Sequence, residues 1–235
     1  MPGWSQPDRM KKLFLLSLFA AAFIFDLAAV YLMQDQWRYF SKPLLMPLLA
    51  VFFISALAAV PSALKKWIIL ALLFSWFGDV FLMFEARDPV FFLLGLVSFL
   101  AAHIFYILFF HKVKSKENTG NRKWLLLPIV VYYVILITLL YPSLGNMKAA
   151  VPVYGIAICF MLLLALHMLF IKNRKAGNYM AGGAVLFVIS DSVLAVNKFY
   201  ESFEMAGLII MLTYGLAQFV LAYGAFVYIR SVNTL

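Results

Sequence analysis

The sequence predicts an all-α polytopic membrane protein: a bundle of eight transmembrane helices forming one integral membrane domain over residues 1–235. Composition is the first observation behind this. Hydrophobic residues make up 66% of the chain and charged residues 12%, with a mean hydropathy of +0.97. A water-soluble domain has no use for that much apolar surface. The second is run length, because a hydrocarbon core about 30 Å thick takes about 20 helical residues to cross. The third is that basic residues concentrate on alternate connections between the runs, the pattern that sets orientation in a bilayer. The runs also lack the alternation of a lipid-facing barrel strand.

The spans follow in order: 13–33, 43–60, 67–84, 90–110, 124–141, 149–171, 180–197 and 205–229. Met10–Lys12 has the look of a signal-peptide start, but the run after it is long and lacks a small-x-small cleavage site, so the first segment is read as a retained span. Pro43, Pro61, Pro89, Pro142 and Pro152 mark span edges, whereas Pro47 kinks the second span. The shorter third and seventh spans cross only with little tilt. His111–Lys123 is the longest polar stretch and contains the turn composition Asn118-Thr119-Gly120-Asn121. It divides the chain into two sets of four spans, a 4+4 parallel internal repeat in which span three corresponds to span seven. Cys159, the single cysteine, reads as a buried structural thiol.

With the amino terminus inside, the inner segments hold 14 of the 19 basic residues. They are Arg9, Lys11 and Lys12, Lys65 and Lys66, the five of the 111–123 loop, Lys172, Arg174 and Lys175, and Arg230. The outer ends hold Arg38, Lys42, Arg87, Lys148 and Lys198. Both termini are therefore expected in the cytoplasm. Basic loops against an anionic leaflet account for the net charge of +9, and no nucleic-acid partner is expected.

Two aspartates interrupt this apolar chain, Asp79 in LFSWFGDVFLM and Asp191 in VLFVISDSVLAVNKF. Inserting a carboxylate into hydrocarbon costs about 3 kcal/mol, so intramembrane acids mark sites. Both stand in the same phrase, small–Asp–x–x–Leu, in corresponding spans. At about 1.5 Å rise per residue they come out about 18 and 17 Å from the cytoplasmic starts of their spans, at matching depth. A carboxylate pair in a low-dielectric cavity suits one general acid and one general base, while the plainer alternative is a helix–helix hydrogen bond for each.

Around this pair the outer half gathers Lys42, Asn197 and Lys198. Lys42 either meets a phosphate, pairs with an aspartate or snorkels as an ordinary interfacial lysine. Asp26 has no repeat partner and no supporting motif and reads as structural or neutral. His103 and Tyr106, one turn apart in span four, fall in the inner half, where they support packing more than chemistry. Tyr214 and Gln218 make a polar strip at i, i+4 on span eight. His111 and His167 lie near the inner surface. No metal-ligand spacing, nucleophile elbow, P-loop or nucleotide fingerprint occurs, so neither a metal nor a cofactor is expected. Paired intramembrane acids and a repeat also suit a small lipid or proton-coupled transporter.

Five motifs in order resemble the YhhN, or lysoplasmalogenase, family. They are Lys42-Pro43-Leu44, Phe74-Ser75-x-x-Gly78-Asp79-x-x-Leu82, Phe99-x-x-Ala102-His103-x-x-Tyr106, Phe187-x-x-Ser190-Asp191-x-x-Leu194-Ala195-x-Asn197-Lys198-Phe199, and Tyr214-x-x-Ala217-Gln218. The resemblance covers about residues 40 to 225. It implies an integral membrane hydrolase of the bacterial inner (cytoplasmic) membrane, cleaving the vinyl-ether bond of a lysoplasmalogen to a fatty aldehyde and a glycerophospho-ethanolamine or -choline. On that reading Asp79 and Asp191 are catalytic, Lys42, Asn197, Lys198, Tyr214, Gln218, His103 and Tyr106 belong to the substrate site, and the partners are the lysophospholipid and membrane lipids. The oligomeric state stays open.

Overall fold

A computed structural model describes residues 6–233; residues 1–5, 234 and 235 of the expected domain, with both chain ends, and the side chain of Arg9 lie outside the described residues. The described residues form eight long α-helices and no strand: α1 (Gln6–Tyr31), α2 (Asp35–Ala56), α3 (Lys65–Leu82), α4 (Pro89–Glu117), α5 (Leu126–Leu140), α6 (Ala150–His167), α7 (Arg174–Phe199) and α8 (Ala206–Ser231). Each expected span overlaps one helix. Seven are long and apolar enough to cross a membrane, the architecture of a multi-pass membrane protein. The eighth, α3, packs Lys65, Lys66 and Asp79 into 18 residues.

Several boundaries differ from expectation, and those of three helices bear on the site. α2 begins at Asp35 rather than at Pro43, so Pro43 and Pro47 both lie inside it. Proline is tolerated in such helices because neighbours take up the freed backbone groups. Here the indole N–H of Trp76 on α3 donates to the Pro43 carbonyl at 2.9 Å. α4 starts where expected, with Asp88 capping Val90 N–H at 2.8 Å and Pro89 in the first turn. It then continues to Glu117, so most of the basic loop is helical, and it stops where Asn118 turns left-handed at φ 50°. α7 starts at Arg174, capped by the Asn173 side chain, and extends to Phe199, which puts Asn197 and Lys198 on the helix.

The bundle is apolar outside as well as inside. Phe14, Phe40, Leu127 and Ile135 are exposed, while Phe53, Phe109, Phe110, Phe187, Tyr106 and Tyr228 are fully buried. With lipid as apolar as leucine, helices associate through close packing and interhelical hydrogen bonds. The pair α7–α8 shows how: a Cβ on Gly183 would lie 2.9 Å from Leu221 N and 3.1 Å from the Ala217 carbonyl, and one on Gly224 would lie 2.9 Å from Met180 N. Only glycine lets these backbones approach so far. α3 and α4 form a second close pair, α1 and α2 a third, and α8 reaches all three of α1, α2 and α3. Short connections join the ends of α1, α3, α5 and α7 to the starts of α2, α4, α6 and α8.

Candidate active site

A polar cavity of about 200 Å³ lies between α2, α3, α7 and α8. Its walls carry Arg38, Lys42, Asp79, Asp191, Asn197 and Tyr214, with Glu85 also lining it from the α3–α4 connection. Five residues singled out from the sequence therefore face one space.

Asp79 is 2% exposed in its side chain, and both of its oxygens are engaged. Oδ1 lies 3.6 Å from Nζ of Lys42, and Oδ2 accepts from the Tyr214 hydroxyl at 2.7 Å. Its small neighbour has a clear purpose. A Cβ on Gly78 would stand 2.6 Å from the Phe99 ring, so glycine admits that ring beside the carboxylate. Phe99 in turn meets Tyr214 edge-on at 5.8 Å and fixes the phenol that holds Asp79.

Asp191 is held differently. Its Oδ2 accepts a short hydrogen bond from the Tyr154 hydroxyl and lies 3.5 Å from Nε2 of His103. Among the described residues Oδ1 has no hydrogen-bond partner, and the side chain is 15% exposed, toward the cavity. His103 is fully buried and its Nδ1 has no partner, so a proton there would be an orphan donor. The tautomer the network supports carries its hydrogen on Nε2, 2.9 Å from the Tyr154 oxygen. Donation then runs from His103 to Tyr154 to Asp191. Ser190, the small residue before Asp191, donates to the Ile210 carbonyl at 3.0 Å and ties α7 to α8 at this level.

Apart from Asn197, the other expected residues sit away from the cavity wall. His103 was placed by depth in the inner half, away from the aspartates; the structure corrects this, because its ring reaches across to Asp191 and Tyr154. Tyr106 lies one turn deeper and donates to Gln218 Oε1 at 2.6 Å, while Gln218 Nε2 donates to Ser75 Oγ at 2.8 Å. This buried network of α4, α8 and α3 supports the helices that present Asp79 and Tyr214. Lys198 does not line the polar cavity: its Nζ is 3.2 Å from Glu85 and 5.1 Å from the Phe92 ring centre. Asn197 lines the cavity but its Oδ1 accepts from Phe203 N–H at 3.2 Å, closing the turn after α7. Asp26 is fully buried and accepts from Ser41 at 2.6 Å, a structural contact between α1 and α2. Among the described residues no three His, Cys, Asp or Glu side chains are placed to hold a metal ion.

Two contributors were missed. Tyr154, one of 12 tyrosines, carries no local signature that separates it from packing tyrosines. Arg38 stands one turn before Lys42 on the same helical face, a spacing visible only once α2 is known to begin at Asp35.

No solved structure matches the chain. Human lysoplasmalogenase TMEM86A is 33% identical over 173 residues, covering 72% of this chain and 68% of the relative. Rat lysoplasmalogenase TMEM86B is 34% identical over 176 residues, 74% of this chain and 67% of the relative. A lysoplasmalogenase of Mycobacterium tuberculosis is 28% identical over 182 residues, 76% of this chain and 67% of the relative. The YhhN family model matches residues 37–225, a stretch that holds both aspartates and every residue lining the cavity, and the chain belongs to the YhhN family.

Proposed function

We propose that this protein hydrolyses the vinyl-ether bond of a lysoplasmalogen, releasing a fatty aldehyde and a glycerophospho-ethanolamine or -choline. The observation that carries the reading is the inequality of the two carboxylates on one cavity, Asp79 buried and Asp191 partly exposed. Asp79 has an ammonium 3.6 Å from one oxygen and a phenol donating to the other, and is the carboxylate of the pair. Asp191 keeps one oxygen free toward the cavity and is the acid. The relatives named lysoplasmalogenase support the substrate class.

An enol ether is cleaved by protonating the vinyl carbon remote from oxygen. The carboxylic acid of Asp191 gives its proton to that carbon, and the π electrons of the double bond form the new C–H bond. The remaining cation is an oxocarbenium, whose charge the Asp79 carboxylate offsets across a water-poor cavity. Water, losing a proton to the Asp79 carboxylate, adds to the carbon bearing oxygen. The hemiacetal then collapses: its hydroxyl proton leaves, the carbonyl forms, the bond to the glycerol oxygen breaks and that oxygen is protonated. Return of the proton from Asp79 to Asp191 resets the pair. The demand matches glycoside hydrolysis, where one carboxyl group donates and a second serves water and positive charge. Arg38 and Lys42 supply positive charge for the phosphate, and Lys42 does so while held to Asp79.

Purified protein given a lysoplasmalogen and its saturated alkyl-ether analogue should release aldehyde from the first alone. Aldehyde from neither, together with movement of the intact lipid across a bilayer, would favour a transporter instead. The same reading takes all eight helices as spans, in two parallel sets of four, with both termini in the cytoplasm of a bacterial inner membrane. It is supported by the 14-to-5 division of basic residues and by an aspartate in the third and the seventh helix. Reporter fusions after Lys116 and after Lys148 should then report opposite sides, and the same side for both would end the eight-span topology.

A further inference from the structure

Beside the polar cavity lies a second one, between α4, α5, α6 and α7. The two share Leu82, Phe99, Asp191 and Leu194 in their walls, so they meet at the carboxylate of Asp191. Beyond that junction the second cavity is lined by apolar side chains such as Leu136, Leu140, Ile158 and Phe199. Its few hydroxyls are already engaged: Tyr132 pairs with Ser192 at 2.5 Å and Tyr154 donates to Asp191. Nothing in it would hold a polar ligand. Asp191 thus stands on the boundary between a charged compartment and an apolar one, whereas Asp79 faces the charged compartment alone.

We propose that this apolar cavity holds the hydrocarbon chain of the lipid substrate and sets the enzyme's chain-length preference, with the head group in the polar cavity. The proposal rests on the vinyl-ether reading and deepens it. In a vinyl-ether lipid the reacting carbons are the first two of the chain, directly next to the ether oxygen. A substrate laid with its phosphate beside Arg38 and Lys42 and its chain among α4–α7 puts those two carbons at the boundary, within reach of the free oxygen of Asp191. The carbon that receives the proton is the one farther from the head group. That agrees with the acid being the aspartate the two cavities share. The occupant is one extended chain, because the cavity adjoins the polar one at the four shared residues and offers an apolar wall from there onward.

The test uses two variants that narrow only the apolar cavity. Ala195→Phe fills it from α7 and Leu136→Trp from α5; neither residue lines the polar cavity. The binding probes are saturated alkyl-ether lysophosphocholines graded from butyl to octadecyl, which the reaction does not consume. Partition into surrounding detergent or lipid grows with chain length equally for every variant, so the comparison between proteins is the readout. Each methylene enclosed by the wild-type cavity should tighten binding about fourfold until the cavity is filled. In the variants the gain should stop at a shorter chain, leaving long probes weaker by roughly tenfold or more and short probes unchanged. Turnover of vinyl-ether lipids of the same lengths should follow the same profile. Identical length profiles for wild type and both variants would overturn the proposal and place the chain along the lipid-facing surface. Failure of the wild type to release any aldehyde would instead overturn the vinyl-ether reading, while the binding profiles still decide whether the cavity takes a hydrocarbon chain.

Discussion

Asp191→Asn should lower aldehyde release by about 10²- to 10⁴-fold while the protein remains folded, since a positioned acid or base is worth that much. Asparagine keeps the size of the side chain, and its carbonyl can still accept from Tyr154, but it has no proton to give to carbon. Asp79→Asn should fall by a similar factor for a different reason. It keeps an acceptor for Tyr214 but removes the negative charge that faces the oxocarbenium and takes the proton of water. The double variant should be little worse than either single one, because groups that act as a unit do not add. Asp26→Asn is the control: fully buried, it keeps its acceptor for Ser41 and should leave turnover nearly unchanged. Initial rates on lysoplasmalogen in one detergent or lipid system, with folding checked by thermal melting, decide the matter. A folded Asp191→Asn or Asp79→Asn protein with near-normal turnover would remove that residue from the chemistry.

Lys42→Met should damage both stability and turnover. Lys42 is 9% exposed and its ammonium stands 3.6 Å from a carboxylate that is itself almost fully buried. Taking away one member of a buried pair leaves an uncompensated charge, at a typical cost of about 3–5 kcal/mol. Turnover at saturating substrate should fall, because Asp79 then has to be neutralised before the protein can fold well. Were Lys42 only a phosphate clamp, the loss would appear in KM with kcat intact, since that contact is made equally in ground and transition states. Adding Asp79→Asn to Lys42→Met should recover melting temperature without recovering activity, as the orphan charge disappears but the carboxylate does not return. A rise in KM alone, at unchanged melting temperature, would contradict the ion-pair role.

Much of this arrangement is legible in the chain because a bilayer leaves few choices. Eight apolar runs become eight helices since every backbone N–H and C=O in hydrocarbon must be paired within its own segment. The repeated small–Asp phrase marks two positions whose carboxyl groups do face one cavity, and the small residue in each case admits a neighbour: a ring at Gly78, a carbonyl hydrogen bond at Ser190. Depth counted along the expected span fails for His103, which stands at the middle of α4 once that helix runs on to Glu117, with its ring 3.5 Å from Asp191. Proline read as a span edge hid the first two turns of α2 and with them Arg38 on the face of Lys42. Tyr154 was invisible for a related reason. A tyrosine inside an apolar helix looks alike whether it packs or donates, and only its partner on α7 tells the two apart.

The division of labour between the two aspartates rests on carbon protonation followed by attack of water on the former vinyl carbon. Mass spectra of both products formed in water labelled with deuterium and oxygen-18 test this most directly. The expected aldehyde carries one deuterium on the carbon next to its carbonyl, and the glycerol alcohol contains no heavy oxygen. Heavy oxygen in the glycerol alcohol would mean that the bond on the other side of the ether oxygen is the one that breaks, and the roles assigned to Asp191 and Asp79 would be wrong.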